Sequence, residues 1–441
     1  MPESSIPDRA WVVAADMGYG HQRAVYPLRS HAEGGVITVG RNDAASRAEK
    51  RLWSRMLMAY EGISRARSIP LVGKPIFGIL DTLLRIPSFY PIRNLSHSTF
   101  QVDLLASFVE KGLCQGMLDR IALEDLPVVT SFFAPAIAAD KKTSYRVFCI
   151  ICDADLNRVW VARDPWESRI SYFAPCGKAA QRLRAYGVPE ERIHLTGFPL
   201  PDELVGGRDM PVLRSALGRR LRTLDPEGRF WPMHDRNVEH YLGPDNCAPD
   251  PRHVLTITFA VGGAGAQKEI GERIVASLRH RIKAGAIRLN LLAGTRTEVR
   301  DFFYAVKDAH VPGSPHLQIV HASTLNEYFT LFSDVLRDTD ILWTKPSEIS
   351  FYAALGIPII MTPAIGSQEK FNRKWLFEIG AGMKQENPDY ADEWLIDKLR
   401  DGIFADLAWS GFLRGRKLGL YKIQEVLRTG TLTRDASPVL R

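Results

Sequence analysis

Asp340-Ile-Leu-Trp-Thr-Lys-Pro-Ser-Glu-Ile-Ser-Phe-Tyr-Ala-Ala-Leu-Gly-Ile-Pro-Ile-Ile-Met-Thr-Pro-Ala-Ile-Gly-Ser-Gln-Glu-Lys-Phe-Asn372 decides the fold class. Ile341 to Trp343 is a short apolar run. Pro346 suits a first helical turn, and Ser347 beside it can cap free N–H groups. Ile349, Ala353 and Ala354 give a helical stripe that Gly356 ends, and Ile357 to Met361 reads as a buried strand. Gly366-Ser-Gln-Glu369 opens another helix. A β-α-β-α run of this kind places two helix N-termini at one edge of a parallel sheet. Open α/β sheets take their ligands at that edge, and helix N-termini favour anions there. Lys345, Ser347, Glu348, Gln368, Glu369 and Asn372 all fall at the two strand-to-helix turns. Packing alone does not require polar side chains at those places, so they are candidate ligand contacts.

The alternation continues upstream. His253-Val-Leu-Thr-Ile-Thr-Phe-Ala-Val-Gly-Gly-Ala-Gly-Ala-Gln267 reads as strand, glycine turn, helix. Gly262, Gly263 and Gly265 leave backbone N–H groups able to face a diphosphate. Ile287 to Leu292, running into Ala293-Gly-Thr-Arg296, and Leu317 to Ser323 are further strands. In the N-terminal half, strands are predicted at Trp11–Ala15, 35–39, 127–131, 145–151, Ile170–Phe173 and 193–196, with a helix over 176–186. The pattern predicts two doubly wound α/β domains.

The first strand runs into Asp16-Met-Gly-Tyr-Gly-His-Gln-Arg-Ala24. Gly18 and Gly20 permit a tight turn, and His21 then starts a helix above the sheet's C-terminal edge. A neutral imidazole there can take a proton from an incoming hydroxyl. The alternative is a capping or surface histidine, and position alone leaves both open. Asp153 directly follows another strand, where it would orient His21 or bind an acceptor. Asp153-Ala-Asp155 has the form of a metal-binding D-x-D, a pattern that recurs by chance.

Residues 1–202, with a helical segment over 46–126, form the expected N-terminal domain. Thr196-Gly-Phe-Pro-Leu-Pro-Asp202 is the expected hinge. Residues 203–408 form the second domain, with 219–252 expected as an irregular insertion, a lid or a disordered stretch. Residues 409–441 are expected as one closing helix over 409–428 and a loose tail, packing back on the N-terminal domain. The apolar stretch 69–90 suits either a membrane interface or an internal packing layer.

With 441 residues, 45% hydrophobic and 24% charged, the chain is long enough for two cores and has a globular composition. A net charge of +7 points to anionic partners: nucleotide phosphates or an anionic lipid surface. Nucleic acid is the weakest of these, since no nucleic-acid-binding signature occurs. Cys149 and Cys152 are three apart on a strand-like run and face opposite sides, so they read as structural residues. Their odd total of five fits a reducing compartment.

Several stretches together resemble the lipid-sugar group of GT-B glycosyltransferases. That group comprises the monogalactosyldiacylglycerol synthases, processive diacylglycerol glucosyltransferases and MurG-like N-acetylglucosaminyltransferases. Gly18-Tyr-Gly-His-Gln-Arg-Ala24 is similar to their G-x-G-H-x-x-A. Cys152-Asp-Ala-Asp-Leu-Asn-Arg-Val-Trp160 resembles T-D-x-x-x-H-x-x-W. The stretch from Tyr186 to Leu200 is similar to G-V-P-x-x-R-V-x-V-T-G-I-P-V. Thr344-Lys-Pro-Ser-Glu348 resembles T-K-P-G-G, and Pro363-Ala-Ile-Gly-Ser-Gln-Glu-Lys-Phe-Asn372 resembles P-x-P-G-Q-E-x-x-N.

The resemblance implies two Rossmann-like domains facing a central cleft. It implies sugar transfer from a UDP-sugar to a hydroxyl acceptor, with lipids among the acceptors, by inversion and without metal or cofactor. The diphosphate would lie against Gly263, Ala264, Gly265, Ser347 and Glu348, with Lys345 in the same donor site. The nucleoside would lie near Arg296 and the 320–323 loop that holds His321. Gln368, Glu369 and Asn372 would meet sugar hydroxyls. His21 would be the base, with Asp153 beside it, and Gly18, Gly20 and Asn157 would form the acceptor loop. The composition predicts a cytoplasmic protein, either free or peripheral on the inner face of a membrane. Four departures stand out. Ser347 and Glu348 replace two glycines, Asn157 replaces a histidine, one extra residue lies in the Gly366-Ser367-Gln368 turn, and Ala353 or Ala354 stands near the place of an acidic ribose ligand. Either Glu348 substitutes for that ligand or donor binding is altered. A UDP-sugar epimerase or hydrolase, and a non-catalytic nucleotide-binding relative, are the rival expectations.

Overall fold

Two parallel six-stranded sheets organise the chain. The computed structural model describes residues 9–40, 45–55, 86–262, 265, 267–364, 366–435 and 437–441. The chain divides into two units. The first holds Met1–Pro199, Gly366–Phe371 and Gly419–Arg434; the second holds Leu200–Ile365, Asn372–Leu418 and Asp435–Arg441.

In the first unit the strands are β1 (Trp11–Ala15), β2 (Ile37–Val39), β3 (Val128–Thr130), β4 (Val147–Ile150), β5 (Ile170–Phe173) and β6 (Ile193–His194). They lie in the order β2-β1-β3-β4-β5-β6. Every pairing is parallel, with Val13 opposite both Ile37 and Thr130. Helices α1 (Tyr19–Val25), α2 (Phe100–Glu110), α3 (Gln115–Ile121), α4 (Phe133–Lys142) and α5 (Gly177–Ala185) belong to this unit. β1, β3 and β4 are buried at every position, the near-continuous apolar character of strands covered on both faces. The chain leaves β1 to one side for β2 and returns on the other for β3, so the order reverses between β1 and β3.

The second unit begins with α6 (Pro211–Thr223) and α7 (Trp231–Leu242). Its sheet then alternates β7 (Thr256–Ala260), α8 (Lys268–Lys283), β8 (Arg288–Gly294), α9 (Thr297–His310), β9 (Leu317–His321), α10 (Leu325–Asp338) and β10 (Ile341–Thr344). A 3₁₀ helix (Glu348–Leu355), β11 (Ile359–Met361), α11 (Ser367–Glu378), β12 (Gly382–Lys384), α12 (Ala391–Arg400) and α13 (Ile403–Arg414) follow. The sheet order is β12-β11-β10-β7-β8-β9, reversing between β7 and β10. The last helix, α14 (Gly419–Thr429), belongs to the first unit, where Gln424 bonds His31 and Arg146 bonds the Leu427 carbonyl.

Three expectations are corrected. First, much of the 219–252 stretch is helix. The Asp225 carboxylate accepts from the N–H groups of Arg229, Phe230 and Trp231 at 2.7, 3.1 and 3.0 Å, capping the start of α7. Pro232 occupies its first turn, while Trp231, Val238 and Leu242 are buried. The Arg222 guanidinium stacks 3.4 Å over the Trp231 ring. Second, the closing helix is two helices, broken at 415–418. There buried Lys417 donates to the carbonyls of Phe412 at 2.6 Å and Gly415 at 3.2 Å, and to that of Val439. Burial pushes its ammonium down to about 7. Third, 348–355 is a 3₁₀ helix and not an α-helix. All eight residues are buried, so it has no polar face to turn outward. A Cβ on Gly411 of α13 would meet the Ala353 carbonyl oxygen at 2.4 Å, and one on Gly415 would meet Ala354 Cβ at 2.6 Å. The Ala353 carbonyl therefore faces α13, and Ala354 packs at its C-terminal end. Part of the expected 46–126 helical segment (Met56, Tyr60 and Ile63), with most of the apolar 69–90 stretch, lies outside the described residues. Among the described residues, no helix is long and apolar enough to cross a membrane.

Candidate functional site

Each unit carries polar side chains just beyond its strand ends, where its strand order reverses. That is where open α/β sheets form ligand crevices.

In the first unit, Gly18 (φ 101°, ψ 173°) redirects the chain from β1 into α1, and His21 stands in that helix's first turn. His21 Nδ1 lies 2.8 Å from the Ser131 carbonyl oxygen just beyond β3. Only a protonated Nδ1 can bond a carbonyl, so the neutral ring carries its lone pair on Nε2. Ser131 Oγ donates in return to the His21 carbonyl at 2.7 Å. These reciprocal bonds span the reversal between β1 and β3. The Cys152 thiol also approaches the Ser131 carbonyl, at 3.5 Å. Phe132 meets the imidazole edge-on with centroids 4.8 Å apart, and Trp160 lies at 6.1 Å. Phe133 packs against both aromatics, 4.0 Å from Phe132 and 5.4 Å from Trp160. His21 is thus held in one orientation against an aromatic wall.

Asp153 follows β4 and is half-buried, whereas Asp155 is fully buried. Asp155 forms a two-point ion pair with Arg182 at 2.8 and 2.9 Å, both side chains at 0% exposure. The second aspartate of the D-x-D pattern is therefore committed to an arginine. Asn157 precedes the short 3₁₀ turn that holds Trp160, and its buried Oδ1 has no hydrogen-bond partner among the described residues. Buried Arg158 fixes this loop by bonding the carbonyls of Ser96, Val161, Ala162 and Arg163. Burial pushes the Cys149 thiol up, and the Cys176 thiol up to about 11. Both stay protonated at neutral pH, which suits structural roles.

In the second unit, β7 leads to Gly262 and β10 leads to Lys345. Thr344 pairs in register with Ala260 and donates from Oγ1 to its carbonyl at 3.0 Å. A methyl group on Gly262 would stand 2.4 Å from Lys345 Cε, 3.0 Å from Nζ and 3.1 Å from Cδ. One on Gly265 would stand 2.8 Å from Val299 Cγ2 and 3.2 Å from Arg296 Cδ. The Gly265 N–H closes a turn on the Gly262 carbonyl at 2.7 Å. Gly263 and Ala264 lie outside the described residues.

Arg296 directly precedes α9, with Nη1 3.2 Å from Glu298. His321 ends β9 opposite Gly294, at a register irregularity, and its buried Nε2 has no hydrogen-bond partner among the described residues. Ser347 starts the 3₁₀ helix, its N–H on the Lys345 carbonyl at 2.8 Å. Glu348 follows at 8% exposure. Asn372 is fully buried and donates to the Pro346 carbonyl at 3.3 Å, pinning the turn after β10. Gln368 and Glu369 begin α11, both counted with the first unit. Glu369 is 9% exposed and accepts from the Gly366 N–H at 3.2 Å.

Sequence reasoning missed Ser131, Phe132 and Gln267. Gln267 accepts from Thr362 Oγ1 at 2.7 Å and donates to the Pro363 carbonyl at 2.9 Å, joining the turn after β7 to the loop after β11. Its place at the end of the glycine turn was the available signal. Among the described residues no cluster of histidine, cysteine and carboxylate side chains has the makings of a metal site.

No protein-family model matches the chain, and no curated protein sequence matches it. Solved structures do resemble it. A Listeria monocytogenes protein assigned as a UDP-N-acetylglucosamine 2-epimerase superposes with TM-score 0.51 at 12% identity, covering 96% of each chain. MurG from Acinetobacter baumannii gives 0.48 at 10% identity, over 96% of this chain and 99% of that one. S. aureus MnaA, in a structure with UDP, gives 0.46 at 13%, over 94% and 95%. At these identities the likeness concerns the fold. The chain has the two-sheet α/β layout of the GT-B architecture.

Proposed function

We propose that the protein acts on a nucleoside-diphosphate sugar and transfers its glycosyl group to a hydroxyl acceptor. The observation that carries this reading is the tautomer of His21. With Nδ1–H on the Ser131 carbonyl, Nε2 is the basic nitrogen, fixed at the C-terminal edge of a sheet where its strand order reverses. In the reaction the acceptor hydroxyl gives its proton to Nε2 and its oxygen bonds to the anomeric carbon. The bond from that carbon to the diphosphate oxygen breaks, and the nucleoside diphosphate departs with the electron pair. Direct displacement inverts the anomeric carbon. The positive charges of Lys345 and Arg296 stabilise the departing diphosphate, so the reaction takes place without a metal ion or cofactor.

UDP is the proposed nucleotide, on the motif resemblance, and Glu348 the proposed ribose ligand. Burial of Ala353 and Ala354 against α13 supports the latter, because it keeps an acidic residue from that later helical position. A net charge of +7 supports an acceptor carried on an anionic lipid surface at the cytoplasmic face. A second reading, epimerisation or hydrolysis of the UDP-sugar, is favoured by the burial of the Glu348 and Glu369 carboxylates.

The test is metal-free incubation with a panel of UDP-sugars, with and without diacylglycerol vesicles, followed by NMR of the sugar. The transfer reading predicts acceptor-dependent UDP release that His21→Ala abolishes. Acceptor-independent change at the sugar, unaffected by His21→Ala, would replace it with the second reading.

A further inference from the structure

A glycine beyond the first strand of an α/β sheet is usually explained by the ligand's need to approach the backbone. Gly262 has a different neighbour. Its backbone lies outside the left-handed region, so its own conformation does not demand glycine. What occupies the place of its missing Cβ is the Lys345 side chain, at 2.4 Å from Cε and 3.1 Å from Cδ. Gly265 has φ +67°, which by itself favours glycine. There Val299 Cγ2 is the nearest neighbour at 2.8 Å and the Arg296 stem takes the adjoining space, with Cδ at 3.2 Å, while its Nη1 lies 3.2 Å from the exposed Glu298 carboxylate. Lys345 arrives from the β10 side of β7 and Arg296 from the β8 side. Two cations from the two flanking strands thus converge on two glycines of one turn.

We propose that Gly262 and Gly265 are seats for these cations, and that Lys345 and Arg296 form a two-cation clamp for a diphosphate. In this arrangement the glycines position the lysine and arginine, and the two side chains make the ionic contacts. The clamp supplies the charge that a divalent metal would otherwise bring to the diphosphate. The inference deepens the nucleotide-sugar reading and rests on it for the identity of the natural ligand, although the clamp itself requires only the diphosphate.

Because the atoms nearest to Gly262 belong to the end of a flexible side chain, Gly262→Ala is expected to fold and to move Lys345 out of place. The experiment is calorimetric titration of the full chain with inorganic pyrophosphate, and separately with UDP, in the presence of a chelator. Wild type is compared with Gly262→Ala, Lys345→Met, their double variant and Arg296→Met, and thermal melting confirms that each is folded. The expected result is pyrophosphate binding by wild type, weakened about 30-fold in Lys345→Met. Gly262→Ala should cost nearly as much, and the double variant no more than Lys345→Met alone. Full affinity in a folded Gly262→Ala, or additive losses in the double variant, would overturn the seat. UDP binding without pyrophosphate binding would overturn the clamp and leave the nucleotide reading standing. Pyrophosphate binding without binding of UDP would do the reverse. Arg296→Met with unchanged pyrophosphate affinity would overturn the arginine half, the clamp being then a single cation.

Discussion

The two units reverse their strand order in the same way and furnish the reversal with opposite chemistry. Between β1 and β3 the first unit places one imidazole, tied to a carbonyl and backed by Phe132 and Trp160. Between β7 and β10 the second places a lysine stem across a glycine. One position is aromatic and directs a single lone pair; the other is stripped of side-chain bulk and brings in charge. A shared topology therefore does not fix what an edge does. Both first turns carry glycines, so the difference lies in the side chains that neighbouring strands bring to the edge: Phe132 and Trp160 in the first unit, Lys345 in the second.

On the proposed function the first reversal carries the chemistry and the second binds the nucleotide, and substitutions test that division. The largest effect is expected from His21→Ala. It should lower turnover by about 10²–10⁴-fold, the usual worth of a general base, with UDP affinity unchanged. Initial-rate kinetics beside a binding titration reads both. Next comes the D-x-D pair. Asp155→Asn leaves Arg182 charged and fully buried, which costs about 3–5 kcal/mol of stability in denaturant unfolding. Asp153→Asn should cost far less stability, and equal losses would show that both aspartates are structural. Ser131→Ala removes the hydroxyl bond to His21 but keeps the carbonyl that sets the tautomer. About 1 kcal/mol of stability should be lost, and turnover should fall much less than in His21→Ala.

Lys417, distant in sequence from both reversals, supplies a pH-dependent reference. Its folded value of about 7 lies below the ordinary 10.5, so between those values the unfolded chain binds more protons than the folded one. Stability should therefore rise as pH increases through that window, and this rise should vanish in Lys417→Met. Melting temperatures from pH 6.5 to 10 measure it. Persistence of the rise in the variant would assign the effect to another group.

What was legible in the sequence was local. The apolar runs of β10 and β11, the glycine turn after β7 and the placement of His21 all lie within single stretches of chain. The partner of His21 is 110 residues away, so no local pattern could name Ser131. The contact of Lys345 with Gly262 is hidden for the same reason: the glycines read as backbone donors, and their side-chain neighbours come from other strands. Ile349, Ala353 and Ala354 predict a helical stripe that ends at Gly356. With every residue there buried, periodicity held no information about helix type. The opposite error occurred at 231–242. Abundant arginine, aspartate and histidine masked an α-helix held by Asp225 and by the burial of Trp231.

The most direct test of the division is metal-free calorimetric titration of UDP into wild type, His21→Ala and Lys345→Met under one set of conditions. Micromolar binding by the first two and a loss of about 30-fold in the third is the predicted result. Failure of wild type to bind UDP, or equal weakening by His21→Ala, would contradict the assignment of nucleotide binding to the second unit and of chemistry to the first.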